Sequence, residues 1–265
     1  MKITIKEIIE RYRVDKSFET RLFWTSYAQR PISFYLAWLC LKLGLSANKV
    51  TLMFFGVGVV ACLFFGTGDY TYMIIGAALL EFSFILDCVD GHIARLKGST
   101  YLGQILDLWS GNAIMASSMF ALGIGLSKNH ELLSLHLLHS IFPTLSNISL
   151  LYVGFFASFV SLLTWYMRNS WRVKVLHLNK DDPDFQPRTR AMIIIENLFA
   201  YPGGYAITML VFAVLHVLDI FLILIMIIYA GSLLLSLHKM LRTAYFLDKS
   251  SSRNSRRNTI IENDG

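Results

Sequence analysis

The chain has 265 residues, of which 55% are hydrophobic and only 16% charged, with a net charge of +6. An ordinary soluble domain is about a quarter charged, so this composition excludes a soluble enzyme and leaves a polytopic membrane protein. Three cysteines, Cys40, Cys62 and Cys88, show neither C-x-x-C metal spacing nor an even disulfide set, and are expected to be buried thiols.

In chain order, Ile5, Ile8, Ile9 and Tyr12 recur at i, i+3, i+4 and i+7, with Lys6, Glu7, Glu10, Arg11 and Arg13 between them. This reads either as an amphipathic helix on the membrane surface or as a frayed, solvated terminus. The opening stretch MKITIKEIIERYRVDKSFETRLFW lacks a continuous apolar core and a small-residue cleavage site, so no secretory signal is expected. ISFYLAWLCLKLGL, Ile32 to Leu45, is apolar but short and carries Lys42, as an interfacial or half-inserted segment would.

Six apolar segments follow, at about Val50 to Phe65, Tyr72 to Ala94, Leu102 to Leu126, Leu145 to Met167, Met192 to Val217 and Ile220 to Leu237. YPGG, Tyr201 to Gly204, interrupts the fifth and predicts a kink there. Lys and Arg concentrate before the first segment, in alternate connections and in the tail, so that 23 of 24 fall on one side and Lys128 alone on the other. The positive-inside rule then places both termini in the cytoplasm.

The expected architecture is all-α: an interfacial region over residues 1–45, a six-helix membrane domain over 46–247 and a polar, basic, disordered tail over 248–265. The chain has no Gly-rich phosphate loop and no internal repeat at a helical-array period. No nucleic-acid partner is expected.

DCVDGHIARLKGSTYLGQILDLWSG, from Asp87 to Gly111, sets three carboxylates into this apolar background. Asp87 and Asp90, three residues apart, share a helix face with Cβ atoms about 5 to 6 Å apart. The short link to the next segment predicts an antiparallel hairpin that brings Asp107 level with them. Each ionised carboxylate costs about 2.5 to 3.5 kcal/mol at mid-membrane, less near the interface, and mutual repulsion adds to this. Oxygen ligands in this number suit a hard divalent cation such as Mg²⁺ or Mn²⁺; Arg95 is the alternative neutralising group, with the aspartates then serving only to join helices.

D-C-V-D-G-H-I-A-R followed by T-Y-L-G-Q-I-L-D resembles the signature of the CDP-alcohol phosphatidyltransferase family, D-x-x-D-G-x-x-A-R, a short spacer, then G-x-x-x-D-x-x-x-D. LGLSANKVTL, Leu43 to Leu52, is similar to the family's Pro-Asn-x-Val-Thr approach to its first span, with Ala47 in the proline position. Two departures stand out: the spacer between Arg95 and Gly103 is short, and the fourth aspartate is Gly111. In the family that aspartate completes the metal site and is the proposed general base.

The resemblance implies transfer of a substituted phosphate from a CDP-linked donor to an alcohol acceptor with release of CMP, one of the two being a lipid. It implies a metal at Asp87, Asp90 and Asp107, a nucleotide lying against Gly91, Ala94 and Arg95 near Asn48 and Thr51, and a homodimer. WYMRNSWR resembles the family's Tyr-x-Arg stretch, which makes Arg168 and Arg172 candidates for the acceptor phosphate and, equally, positive-inside anchors. Simple helix capping is an equal reading of Asn48 and Thr51. His92 lies beside the cluster but outside the motif.

Three readings remain open for the missing base: Glu196 supplies it, Asp107 serves both metal and proton, or the protein binds nucleotide or lipid without turnover. A cation-coupled transporter is the rival from another class, predicting ionisable residues at successive depths. Gly56, Ala61 and Gly123 are small residues at which helices, including those of a second copy, can approach.

Overall fold

The computed structural model describes residues 4–13, 22–128, 147–174, 190–201 and 203–263. These are helical, without a strand among them, and the chain is an all-α polytopic membrane protein. The helices are α1 (Ile5–Arg13), α2 (Arg30–Lys42), α3 (Ala47–Gly66), α4 (Tyr70–Lys97), α5 (Tyr101–Lys128), α6 (Asn147–Lys174), α7 (Arg190–Phe199), α8 (Tyr205–Val214) and α9 (Leu218–Asn263). A π-helical turn at Thr25–Gln29 leads into α2.

Among the described residues, five helices are long and apolar enough to cross a membrane: Ala47–Gly66, Tyr70–Lys97, Tyr101–Lys128, Ile148–Trp171 and Leu218–Tyr245. They contain or overlap five of the six expected segments. The other, Met192 to Val217, is broken rather than kinked, into α7 and α8 of ten residues each. Each half is about 15 Å long, and neither alone crosses a core of about 30 Å. Gly204 makes the break possible, because a Cβ there would collide with the carbonyl of Asn197 in the preceding helix. The last helix carries on through Asn263, into the polar segment expected to be a disordered tail.

Local chemistry sets the helix ends. The Ser46 hydroxyl accepts the Lys49 amide at the start of α3, and the Asp69 carboxylate accepts the amides of Thr71 and Tyr72 at 2.8 and 3.2 Å at the start of α4. Gly98, at φ +91°, closes α4 with its amide on the Ala94 carbonyl. Lys128 donates to the Gly66 carbonyl at 2.6 Å, satisfying one of the last carbonyls of α3.

The most enclosed element is α4: 61% of its most apolar stretch is buried, against 22% for α9, whose remaining apolar surface faces outward as a lipid-facing helix requires. Helix α3 packs extensively against both α4 and α5, whereas α4 and α5 touch only sparsely. The expected α4–α5 hairpin packing is therefore corrected: small residues on α4 draw it onto α3 instead. A Cβ on Gly76 of α4 would lie 3.0 Å from the Ala61 carbonyl and 3.2 Å from Phe64 Cβ, so any larger residue would prise α3 and α4 apart.

The apolar face of α1 packs on protein: Ile8 and Tyr12 are buried, and the Tyr12 ring meets Phe34 and His92 edge-on at 5.5 Å. Before α2, a π-turn closes an i→i+5 bond from the Arg30 amide to the Thr25 carbonyl, and Trp24 and Gln29, five residues apart, reach one acceptor. Both donate to Glu81 Oε1 on α4, at 2.8 and 2.9 Å. This buried carboxylate ties the N-terminal region to the bundle. Cys40 and Cys88 are buried as expected, while Cys62 is half-buried.

The small residues singled out for helix approach serve different ends. A Cβ on Gly123 of α5 would lie 2.9 Å from both Gly154 Cα and the Leu150 carbonyl of α6, so Gly123 is used inside the chain; Gly56 faces open space. Alanine favours a helix over glycine by about 1 kcal/mol, yet at position 123 the neighbours are backbone and cannot yield. Gly123→Ala should therefore lower stability by about 1 to 3 kcal/mol, and Gly56→Ala should leave it unchanged or slightly raised, both read by thermal unfolding in detergent.

Candidate metal and nucleotide site

Asp87 and Asp90 lie near the end of α4, and Asp107 lies in the second turn of α5. One oxygen from each falls within 4.8 Å of the other two. That span is about twice a metal–oxygen bond of 2.0 to 2.6 Å, so a single hard cation fits with small side-chain adjustments. Burial grades across the cluster, from Asp90 at 5% exposure through half-buried Asp87 to exposed Asp107. The expected convergence is therefore present, reached by α3 bracing α4 and α5 rather than by direct packing of the two.

Neutral donors restrain the two α4 carboxylates. The Thr51 hydroxyl on α3 donates to Asp90 Oδ2 at 2.6 Å, and the Tyr201 hydroxyl donates to Asp87 Oδ2 at 2.7 Å. Tyr201 sits in the break between α7 and α8, where its ring meets Phe84 at 4.8 Å. Its ring edge also fills the space beside Gly111: a Cβ on Gly111 would overlap the Tyr201 Cζ and hydroxyl oxygen. Where the family motif has a carboxylate, this chain has a phenol arriving from another helix pair.

Asn48 acts on the turn that carries the cluster. Its side-chain amide pairs with the Thr100 hydroxyl at 3.2 Å, and Thr100 accepts the Gly103 amide at 3.0 Å. A Cβ on Gly103 would stand 2.7 Å from Asn48 Oδ1, so glycine at 103 is what lets the α3 N-terminus clamp the α4–α5 link. Gly91 and Ala94 are half-buried on the last turns of α4. Arg95 Nη1 lies 3.3 Å from where a Gly91 Cβ would be, and its guanidinium stands 5.7 Å from the Tyr12 ring centroid, which the Arg30 guanidinium also approaches at 5.0 Å.

His92 faces another way. Two residues on from Asp90 it lies about 200° around the helix, where Nε2 is 2.9 Å from the Ser33 hydroxyl and the ring packs against Phe34 and Tyr12. It is a packed core residue joining α4 to α2. Arg168 on α6 donates to Ser236 at 3.0 Å and Ser232 at 2.9 Å, both on α9. Arg172 and Glu196 lie on α6 and α7, but their side chains fall outside the described residues.

The family model for CDP-alcohol phosphatidyltransferase matches residues 45–179. The chain belongs to this family. Its members transfer a phosphoalcohol from a CDP-alcohol with release of CMP and depend in general on a divalent metal. No curated protein matches the chain closely enough to stand as a relative. The match spans α3 to α6, including every motif residue named above. Tyr201 and Glu81 escaped the sequence reading for different reasons: Tyr201 lies beyond the match, in a break legible only as a kink, and the donors to Glu81 are more than 50 residues away.

Within this cluster the Thr51–Asp90 bond can be isolated. Thr51→Val keeps the shape but leaves the buried Asp90 oxygen without its donor, at a cost of about 1 to 3 kcal/mol. Chemical or thermal unfolding should show that loss, and Thr51→Ser should largely avoid it.

Proposed function

We propose that this chain transfers a substituted phosphate from a CDP-linked donor, CDP-diacylglycerol or another CDP-alcohol, to an alcohol acceptor at the cytoplasmic membrane surface. One of the two substrates is a lipid. The convergence of Asp87, Asp90 and Asp107 carries the reading: three ligand oxygens within 4.8 Å of one another, graded from buried to exposed at the end of an apolar bundle, suit a hard cation. Mg²⁺ or Mn²⁺ held there would neutralise charge developing on the departing CMP.

The chain's own residues do the rest. Gly91 presents no side chain and the Arg95 guanidinium lies over it, so a donor phosphate oxygen that pairs with Arg95 comes close to the α4 backbone. Asn48, Thr51 and Ala94 complete that wall. Asp107, the most exposed of the three carboxylates, takes the acceptor's hydroxyl proton as its oxygen bonds to the phosphorus remote from cytidine, and the P–O bond to CMP breaks with its electron pair leaving on CMP. Arg168, held by Ser232 and Ser236, and Arg172 bind phosphate on the acceptor side. The distribution of Lys and Arg supports a cytoplasmic site and termini, and family membership supports a homodimer.

A second reading, nucleotide binding without turnover, draws support from Tyr201 standing beside Gly111. Release of CMP separates the two. Purified protein in Mg²⁺ or Mn²⁺ should release CMP from at least one donor in a panel of CDP-diacylglycerol and CDP-alcohols, and Asp90→Asn should abolish it. Metal-dependent nucleotide binding with no CMP from any donor would establish the second reading instead.

A further inference from the structure

We infer that Tyr201 is a positioning residue of the metal site, taking up the place of the absent motif carboxylate and acting through Asp87; the inference rests on the reading of Asp87, Asp90 and Asp107 as a cation site. Two independent observations meet at this side chain. Its hydroxyl donates to Asp87 Oδ2 at 2.7 Å. Its ring edge occupies the volume that any side chain at Gly111 would need.

The exchange makes chemical sense. A fourth carboxylate would add a negative charge to three already within 4.8 Å of one another, at further cost in repulsion and desolvation. A phenol adds no charge, and its donated hydrogen bond restrains rotation of the Asp87 carboxylate. Hydrogen bonds made to a ligand by groups that do not themselves touch the metal orient that ligand, and their loss weakens metal binding by about 10- to 100-fold.

The fold explains how Tyr201 reaches the cluster. The α7–α8 break, built around Gly204, places Tyr201 off any helix, and Phe84, one turn before Asp87 on α4, holds its ring at 4.8 Å. Glycine at 111 and tyrosine at 201 are then one device: the first makes room, the second fills it.

The test is a titration of the purified full chain with Mn²⁺ alone, following free Mn²⁺ by electron paramagnetic resonance, alongside thermal unfolding in metal-free buffer. Tyr201→Phe keeps the ring and should stay folded, with at most the modest loss of stability that an Asp87 oxygen without its donor brings, while binding Mn²⁺ about 10- to 100-fold more weakly. Gly111→Asp should be destabilised, because its side chain meets the ring. Gly111→Asp with Tyr201→Gly should regain stability and Mn²⁺ binding, a strongly non-additive pair.

Parent-like Mn²⁺ affinity in Tyr201→Phe overturns the inference, as does a stable Gly111→Asp protein whose effect simply adds to that of Tyr201→Gly. A parent chain that binds no Mn²⁺ overturns the cation site and this inference together. Metal binding with CMP release that is indifferent to Tyr201→Phe overturns this inference alone.

Discussion

Like charges held close together at the edge of an apolar bundle repel, and the packing around Asp87, Asp90 and Asp107 holds three of them together. Asp87, Asp90 and Asp107 come from two helices that scarcely touch, so their convergence depends on a third. Helix α3 supplies it by packing against both, with Gly76 letting α4 approach the Ala61 backbone and Thr51 donating to Asp90 from the same surface. The clamp of Asn48 on Thr100, permitted by Gly103, then fixes the link between the two carboxylate-bearing helices. Removing any of these contacts frees the carboxylates to move apart, the direction their repulsion favours.

The neutral donors are as informative as the charges. Thr51 and Tyr201 each satisfy one oxygen of a carboxylate, buried Asp90 and half-buried Asp87, without adding charge, which lowers the cost of burial while leaving the cluster anionic. They come from opposite ends of the architecture, one from the first membrane helix and the other from the broken segment near its end. A break in a membrane helix exposes backbone groups that protein must satisfy, and here it also delivers a side chain to the site. The N-terminal region follows the same pattern at a second carboxylate, where one π-turn aligns Trp24 and Gln29 on Glu81.

The helical membrane class, five of the spans and the three carboxylates that converge were legible in the sequence, because each rests on local pattern: apolar runs of bilayer length, and acids at i and i+3 where charge is costly. Family membership was legible for the same reason, since the motif is contiguous and lies within residues 45–179. The packing of α4 was misjudged, because a short connection says that two helices are neighbours in sequence but not which surfaces fit. His92, adjacent to the motif in sequence, proved to face α2, a consequence of helical periodicity rather than of composition.

What the sequence determined by itself is the medium and the chemistry: a chain this apolar must cross a membrane as helices, and three aspartates within it must be compensated. What only the tertiary structure decided is how they are compensated and by whom. Tyr201 and Asp87 are 114 residues apart, and neither propensity nor spacing links them. Their contact exists because Gly111 leaves a space on α5 that a tyrosine from the α7–α8 break fills, and shape complementarity of that kind is a property of packed surfaces, not of any single stretch of chain.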